Sequence, residues 1–199
     1  APIDAVVITG DVTDNAQSNE LDWYKKILDG GVVTPKSGDP QRSDASHSSN
    51  ADLYDSHYYH PDGPPIGMPA DRPHVLHDFP HFKGALEASE RQFIAKGLTH
   101  KWLAVHGNHD ALLQGTAATT PELDALAQGS EKLAALKNMA DLADLFSGFG
   151  ELGPAVYPGL DHMDTNEVTA DPRRALIKMQ DWVNVHTNCE HDHGLDAEQ

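Results

Sequence analysis

Two short polar motifs carry most of the chemistry visible in this sequence. Gly10-Asp11-Val12-Thr13-Asp14 and Gly107-Asn108-His109-Asp110 each follow directly on an apolar run, DAVVITG over residues 4–10 and KWLAVH over residues 101–106. Glycine lets a chain turn sharply as it leaves a strand, so the side chains that follow project into the space beyond the strand end. A carboxylate able to bridge two cations, an amide oxygen and an imidazole free to donate a proton would then converge. Metal-assisted hydrolysis of a phosphate ester needs that set: hard oxygen donors for the cations and a proton source for the leaving oxygen.

Positioning these motifs requires strands whose carboxyl ends lie side by side. The run over 4–10 is short, apolar and β-branched, which predicts a strand buried on both faces, as in a parallel sheet. Residues 16–28 follow with Leu21, Tyr24, Ile27 and Leu28 at helical spacing, Asp14 or Asn15 placed to cap the first turn, and Gly30 and Gly31 to end it. A second helix is expected over 83–96 and a second strand over 101–106. Strand and helix thus alternate, the mark of an α/β sheet whose ligands sit beyond the strand ends. Between them, residues 32–82 lose periodicity and are rich in Pro and His, which predicts a long loop insertion; loops beyond about 12–15 residues are usually functional or disordered. The cluster Tyr54, Tyr58 and Tyr59 predicts that its second half packs on something. Residues 121–199 read as a mainly helical portion, with helices over 121–128, over 130–146 (Leu133, Leu136, Met139, Leu142, Leu145) and over 172–188 (Leu176, Ile177, Met179, Trp182 or Val183).

Composition narrows the partners. Fourteen Lys and Arg against 31 Asp and Glu give a formal charge of -17 over 199 residues, which repels a phosphate backbone, so no nucleic acid is expected. No run approaches the roughly 18 apolar residues of a membrane span, so no membrane partner is expected, and a soluble chain is. The single cysteine, Cys189, rules out an internal disulfide framework. The opening residues lack Met and a secretion signal; the natural start is expected to be missing, and the compartment is not legible.

Taken together the motifs resemble the calcineurin-like metallophosphoesterase family, whose motifs in chain order are DxH, GDxxD, GNH followed by D or E, a lone His, and GHxH. The second and third are present here without a mismatch. The resemblance implies a single, incomplete metallophosphoesterase domain over 1–199, with short parallel strands flanked by helices in a layered α/β fold. It also implies a phosphate mono- or diester substrate and two divalent or trivalent cations of the Mn, Fe, Zn or Ni class. Carried over by position, Asp11 would bridge both cations and Asn108 would bind the second. His109 would protonate the leaving alkoxide or steady a phosphoryl oxygen, Asp110 would hold its imidazole, and Asp14 would order the turn beneath Asp11.

The departures shape the expectation. DxH is not found upstream of Asp11. Asp55-Ser56-His57 has its spelling but falls in the long loop, His191-Asp192-His193 keeps only the HxH part of GHxH, and His162 and His186 are both eligible as the lone His. The chain is therefore expected to be an internal portion of a family member that carries half of the dinuclear site, is weakly active or inactive alone, and binds catalytic metal weakly or not at all in isolation. His106 is expected to pack at its strand end, and Trp23, Trp102 and Trp182 to anchor the core. Alternatives stay open. One is a non-catalytic, acidic, His-rich metal-binding module using the histidines between His47 and His81 or the set His186, Cys189, His191 and His193. Another is a binding domain, or homodimer, that pairs through an exposed sheet edge or its helices.

Overall fold

The computed structural model describes residues 2–39, 54–136 and 163–187. It divides into two compact units, one made of residues 1–33 and 94–199 and the other of residues 34–93. The first is a mixed α/β unit. Strand β1 (Val6–Ile8) leads through a polar turn into helix α1 (Ser18–Asp29), then β2 (Gly31–Val33). In the second unit lie α2 (Arg72–His77) and α3 (Ala85–Ser89). Then come β3 (Phe93–Ala95), β4 (Trp102–Ala104), α4 (Pro121–Gln128), β5 (Glu131–Leu136), β6 (Met163–Glu167) and α5 (Met179–Thr187).

The strands form three two-stranded sheets among the described residues. The one that matters for function pairs β1 with β4 in parallel, Val6 opposite Trp102, Val7 opposite Leu103 and Ile8 opposite Ala104. The ladder extends by one bond at each end, Val6 N–H to Lys101 O at 2.8 Å and Val105 N–H to Ile8 O at 3.0 Å. Both strands therefore stop at the same level, and the two motifs leave them side by side. The expected burial on both faces is not found: Val7 is 64% exposed and its partner Leu103 40%. Among the described residues, α1 and α5 side chains cover one face of the pair, while Val7 and Leu103 stand exposed on the other.

The core of this unit is small and aromatic. Ala16, Leu21, Ile177 and Trp182 are buried together, with Val12, Tyr24, Ala104, Val183 and Val185 against them. Trp102 is fully buried, donates from Nε1 to Asp29 Oδ1 at 3.1 Å and meets the ring of Tyr24 edge-on at 5.7 Å. His186 stacks on Trp182 at 3.8 Å and donates from Nδ1 to Trp182 O at 2.6 Å; this fixes the tautomer, so Nε2 accepts from the Tyr24 hydroxyl at 3.2 Å. Burial depresses the pKa of this imidazole, outweighing the carbonyl that favours its charged form.

Several local expectations are corrected. Helix α1 is capped at Gln17, not at Asp14 or Asn15: Ala16 adopts a left-handed turn (φ 52°), and Glu20 accepts from the N–H groups of Asn15 and Gln17 and from Asn15 Nδ2. The helix ends as expected at Gly30, with φ 93°. Helix α3 occupies only Ala85–Ser89; Phe93 and Ile94 belong to β3, where an aromatic and a β-branched residue suit pairing with β2 better than a continued helix. The stretch expected to be helical from residue 130 begins as β5, because Gly129-Ser130 interrupts the chain after α4 and antiparallel pairing with β6 overrides the helix propensity of Glu131–Leu136. The remainder of that stretch lies outside the described residues. At the last expected helix, Asp171 caps a single 3-10 turn (Pro172–Arg174); Leu176 then pairs with Gln17, Ile177 enters the core and α5 starts only at Met179. Among the described residues beyond 121, strands β5 and β6 thus stand beside helices α4 and α5.

The second unit has no buried aliphatic core among its described residues. Its centre is Asp71, fully buried, which caps α2 by accepting from His74 N–H at 3.0 Å and pairs with His81 Nε2 at 2.9 Å. The imidazoles of His74 and His81 stack at 4.1 Å. Tyr54 packs on His60 and Tyr59 on Phe79, whereas Tyr58 is 69% exposed. No helix among the described residues is long and apolar enough to cross a membrane.

Candidate functional site

The two motifs meet. Gly10 (φ 101°) and Gly107 pack backbone against backbone; a Cβ on Gly10 would come within 2.6 Å of Gly107 Cα, and one on Gly107 would overlap the Asp11 carboxylate and backbone nitrogen. Both glycines are therefore required by the approach of the loops. Asp11, itself left-handed at φ 57°, turns its carboxylate over Gly107, where Oδ1 accepts from the His109 N–H at 3.0 Å. Asn108 is exposed beside them.

Asp110 corrects an expectation. Its carboxylate is buried and faces the opposite motif rather than the His109 ring. Oδ1 accepts from the N–H groups of Val12 (2.7 Å) and Thr13 (2.9 Å) and from Thr13 Oγ1 (3.3 Å), while Oδ2 accepts from Gly107 N–H at 2.8 Å. One side chain thus ties the second loop to the first. The carboxylate that faces His109 is Asp14, whose Oδ1 lies 3.6 Å from Nδ1. That distance is longer than a hydrogen bond. Asp14 is 82% exposed and free to close it.

A cleft of about 570 Å³ opens between this loop and α1. Asp11, Val12, Thr13, Asp14 and His109 form one side; Glu20, Trp23, Tyr24 and Ile27 form the other. The second group was legible only in part. Tyr24 and Ile27 fall in the apolar stripe expected to face the core, but the stripe divides: Leu21 is 3% exposed in the core, whereas Ile27 is 46% exposed in the cleft. Positions 20, 23, 24 and 27 share one helix face by spacing, which was the available signal. Trp23 accordingly lines the cleft, while Trp102 and Trp182 anchor the core as expected. His106 packs edge-on to Trp182 at 5.3 Å.

The donor chemistry of Asp11 and Asn108 suits a hard divalent cation: one carboxylate with Oδ1 steadied by a backbone N–H and Oδ2 left over, and one amide. The number of donors is small. Among the described residues no three His, Cys, Asp or Glu side chains come together in a metal-binding group. His186 is enclosed by aromatic rings rather than turned to this site. The eligible His162 and the set Cys189, His191 and His193 lie outside the described residues. Asp55 and His57 pair with each other at 2.7 Å in the second unit. No family model, curated protein or solved structure matches this chain.

Proposed function

We propose that this chain contributes half of a two-cation site that hydrolyses phosphate mono- or diesters, becoming active in the polypeptide that supplies the remaining ligands. The observation that carries the reading is the hydrogen-bonded junction of the two motif loops, Asp11 against His109 and Asp110 against Val12 and Thr13, at the common end of a parallel strand pair. Two cations would, when bound, neutralise the phosphoryl oxygens and acidify the attacking water.

The chain's own residues supply the rest. Asp11, one of whose oxygens is held by the His109 N–H, would offer the other to a cation, and Asn108 would offer its amide oxygen. With the Asp14 carboxylate beside Nδ1, His109 would present its Nε2–H as the proton donor to the departing alkoxide. Asp110 fixes the spacing of both loops. With only Asp11 and Asn108 as ligands among the described residues, a cation would gain few inner-sphere bonds in exchange for its water, so this chain alone is expected to bind metal weakly and turn over slowly. The metal-buffer alternative finds less support, since four of the five described histidines of residues 54–81 already engage other groups: His57 Asp55, His60 a carbonyl, His74 a carbonyl and His81 Asp71.

The test is hydrolysis of p-nitrophenyl phosphate and bis-p-nitrophenyl phosphate with Mn²⁺ by a polypeptide carrying the complete ligand set. His109→Ala should lower kcat by about 10²–10⁴, and Asp11→Asn should abolish Mn²⁺-dependent turnover. Full activity in both variants would refute the reading.

A further inference from the structure

The cleft beside the motif loops has walls of two kinds. On one side stand the polar loop and His109; on the other, α1 presents Trp23, Tyr24 and Ile27 in one stripe, with Glu20 a turn before them. Tyr24 is held by the edge of the buried Trp102 ring and by donating its hydroxyl to His186 Nε2, so this wall is rigid before any ligand arrives. Trp23 is half-buried and Ile27 46% exposed, leaving apolar surface open in the cleft. The volume of about 570 Å³ is that of a small-molecule site.

We infer that the Trp23, Tyr24 and Ile27 wall binds the leaving group of the substrate, and that the preferred substrates are phosphate esters of uncharged aromatic alcohols. The inference rests on the hydrolase reading for the identity of the ligand, though binding of the alcohol itself does not. Two features select the occupant. The wall is continuous with His109, the residue placed to protonate the leaving oxygen, so whatever is attached to that oxygen lies along α1. The carboxylates of Asp11, Asp14 and Glu20 surround the same space and repel a leaving group that carries further phosphates or carboxylates. Glu20 cannot swing away readily, because both its oxygens accept hydrogen bonds from Asn15 and Gln17.

The test separates binding from turnover. This chain, free of metal, is titrated with 2-naphthylmethanol while the three indole N–H signals are followed by NMR. The Trp23 signal is expected to shift, with the buried Trp102 and Trp182 signals unmoved, and Ile27→Asp is expected to weaken the affinity by about tenfold. Because Ile27 is half exposed, that variant should fold. Equal shifts at all three indoles, or unchanged affinity in Ile27→Asp, would overturn the inference. In the metal-loaded polypeptide with the full ligand set, benzyl phosphate and ethyl phosphate, whose alcohols are similar in acidity, should differ in KM by about tenfold in favour of benzyl. Hydrolysis of both with equal KM would sink the inference and leave the hydrolase reading standing. Naphthylmethanol binding at Trp23 without any metal-dependent hydrolysis would uphold the wall and sink the hydrolase reading.

Discussion

Replacing Asp110 by Ala should cost this protein more stability than any change at its more exposed neighbours in the motifs. The carboxylate accepts four hydrogen bonds from the two loops at 2.7–3.3 Å while 2% exposed. Removing it leaves the N–H groups of Val12, Thr13 and Gly107 without acceptors. A buried donor left unpaired costs about 1–3 kcal/mol; Thr13 is buried but Val12 and Gly107 can recover water, so the sum is about 3–5 kcal/mol. Against a typical stability of about 5–15 kcal/mol, that is a third or more of the total. The urea midpoint should fall by on the order of 2 M, and amide exchange at residues 12, 13 and 107 should accelerate. Asp110→Asn keeps one oxygen for Val12 and Thr13 but sets an NH2 against the Gly107 N–H, and should cost about 1–3 kcal/mol. Asp14→Ala, whose side chain is 82% exposed, should stay within about 0.5 kcal/mol of the unaltered protein. If Asp110→Ala shifts stability by less than about 1 kcal/mol, or leaves exchange at the three amides unaltered, Asp110 does not join the loops.

Three further expectations follow from the packing and the protonation equilibria. Gly107→Ala places a methyl group on the Asp11 carboxylate and backbone and should destabilise by about 1–3 kcal/mol in denaturant titration, with loss of cation binding. His186 has a folded pKa depressed by burial, so its contribution to stability is complete above the unfolded value of about 6.5 and is lost as pH falls from there through the folded value. His186→Phe, keeping the stack on Trp182, should lower stability at pH 8 but flatten its decline between pH 7 and 5 in thermal melts. Burial pushes the Asp71 carboxyl up, but its hydrogen bonds from His81 and the His74 N–H outweigh that and hold it below the usual range. The stability it gives residues 54–93 is therefore full above about pH 3.9 and lost as pH falls through the folded value. Protection of the His74 and Val75 amides should drop in that acid window, and in Asp71→Asn it should be low at every pH.

The sequence made the site more legible than the fold. Two glycine-led motifs after apolar runs implied strand ends brought together, and Gly10 and Gly107 meet for the steric reason that only glycine permits. Strand β4, helix α4 and the Gly30 end of α1 also follow from local signals. What escaped depends on partners distant in sequence. Glu131–Leu136 has helix-forming residues, yet pairs with Met163–Glu167; Phe93 and Ile94 join β2 rather than a helix. Asp110 follows His109 in the chain, which suggested that it holds the imidazole, but a strand-end turn directs its carboxylate to Val12 and Thr13 and leaves Asp14 to face the ring. Periodicity located the stripe on α1 without telling which of its members faces the core and which the cleft.

The central claim is that Asp11 and Asn108 are cation ligands beside His109. Titration of this chain with Mn²⁺, followed by paramagnetic broadening of amide NMR signals, tests it most directly. The account predicts weak binding that broadens residues 11, 108 and 109 first and is lost in Asp11→Asn. Broadening that begins instead at the histidines of residues 57–81 and survives Asp11→Asn would contradict it.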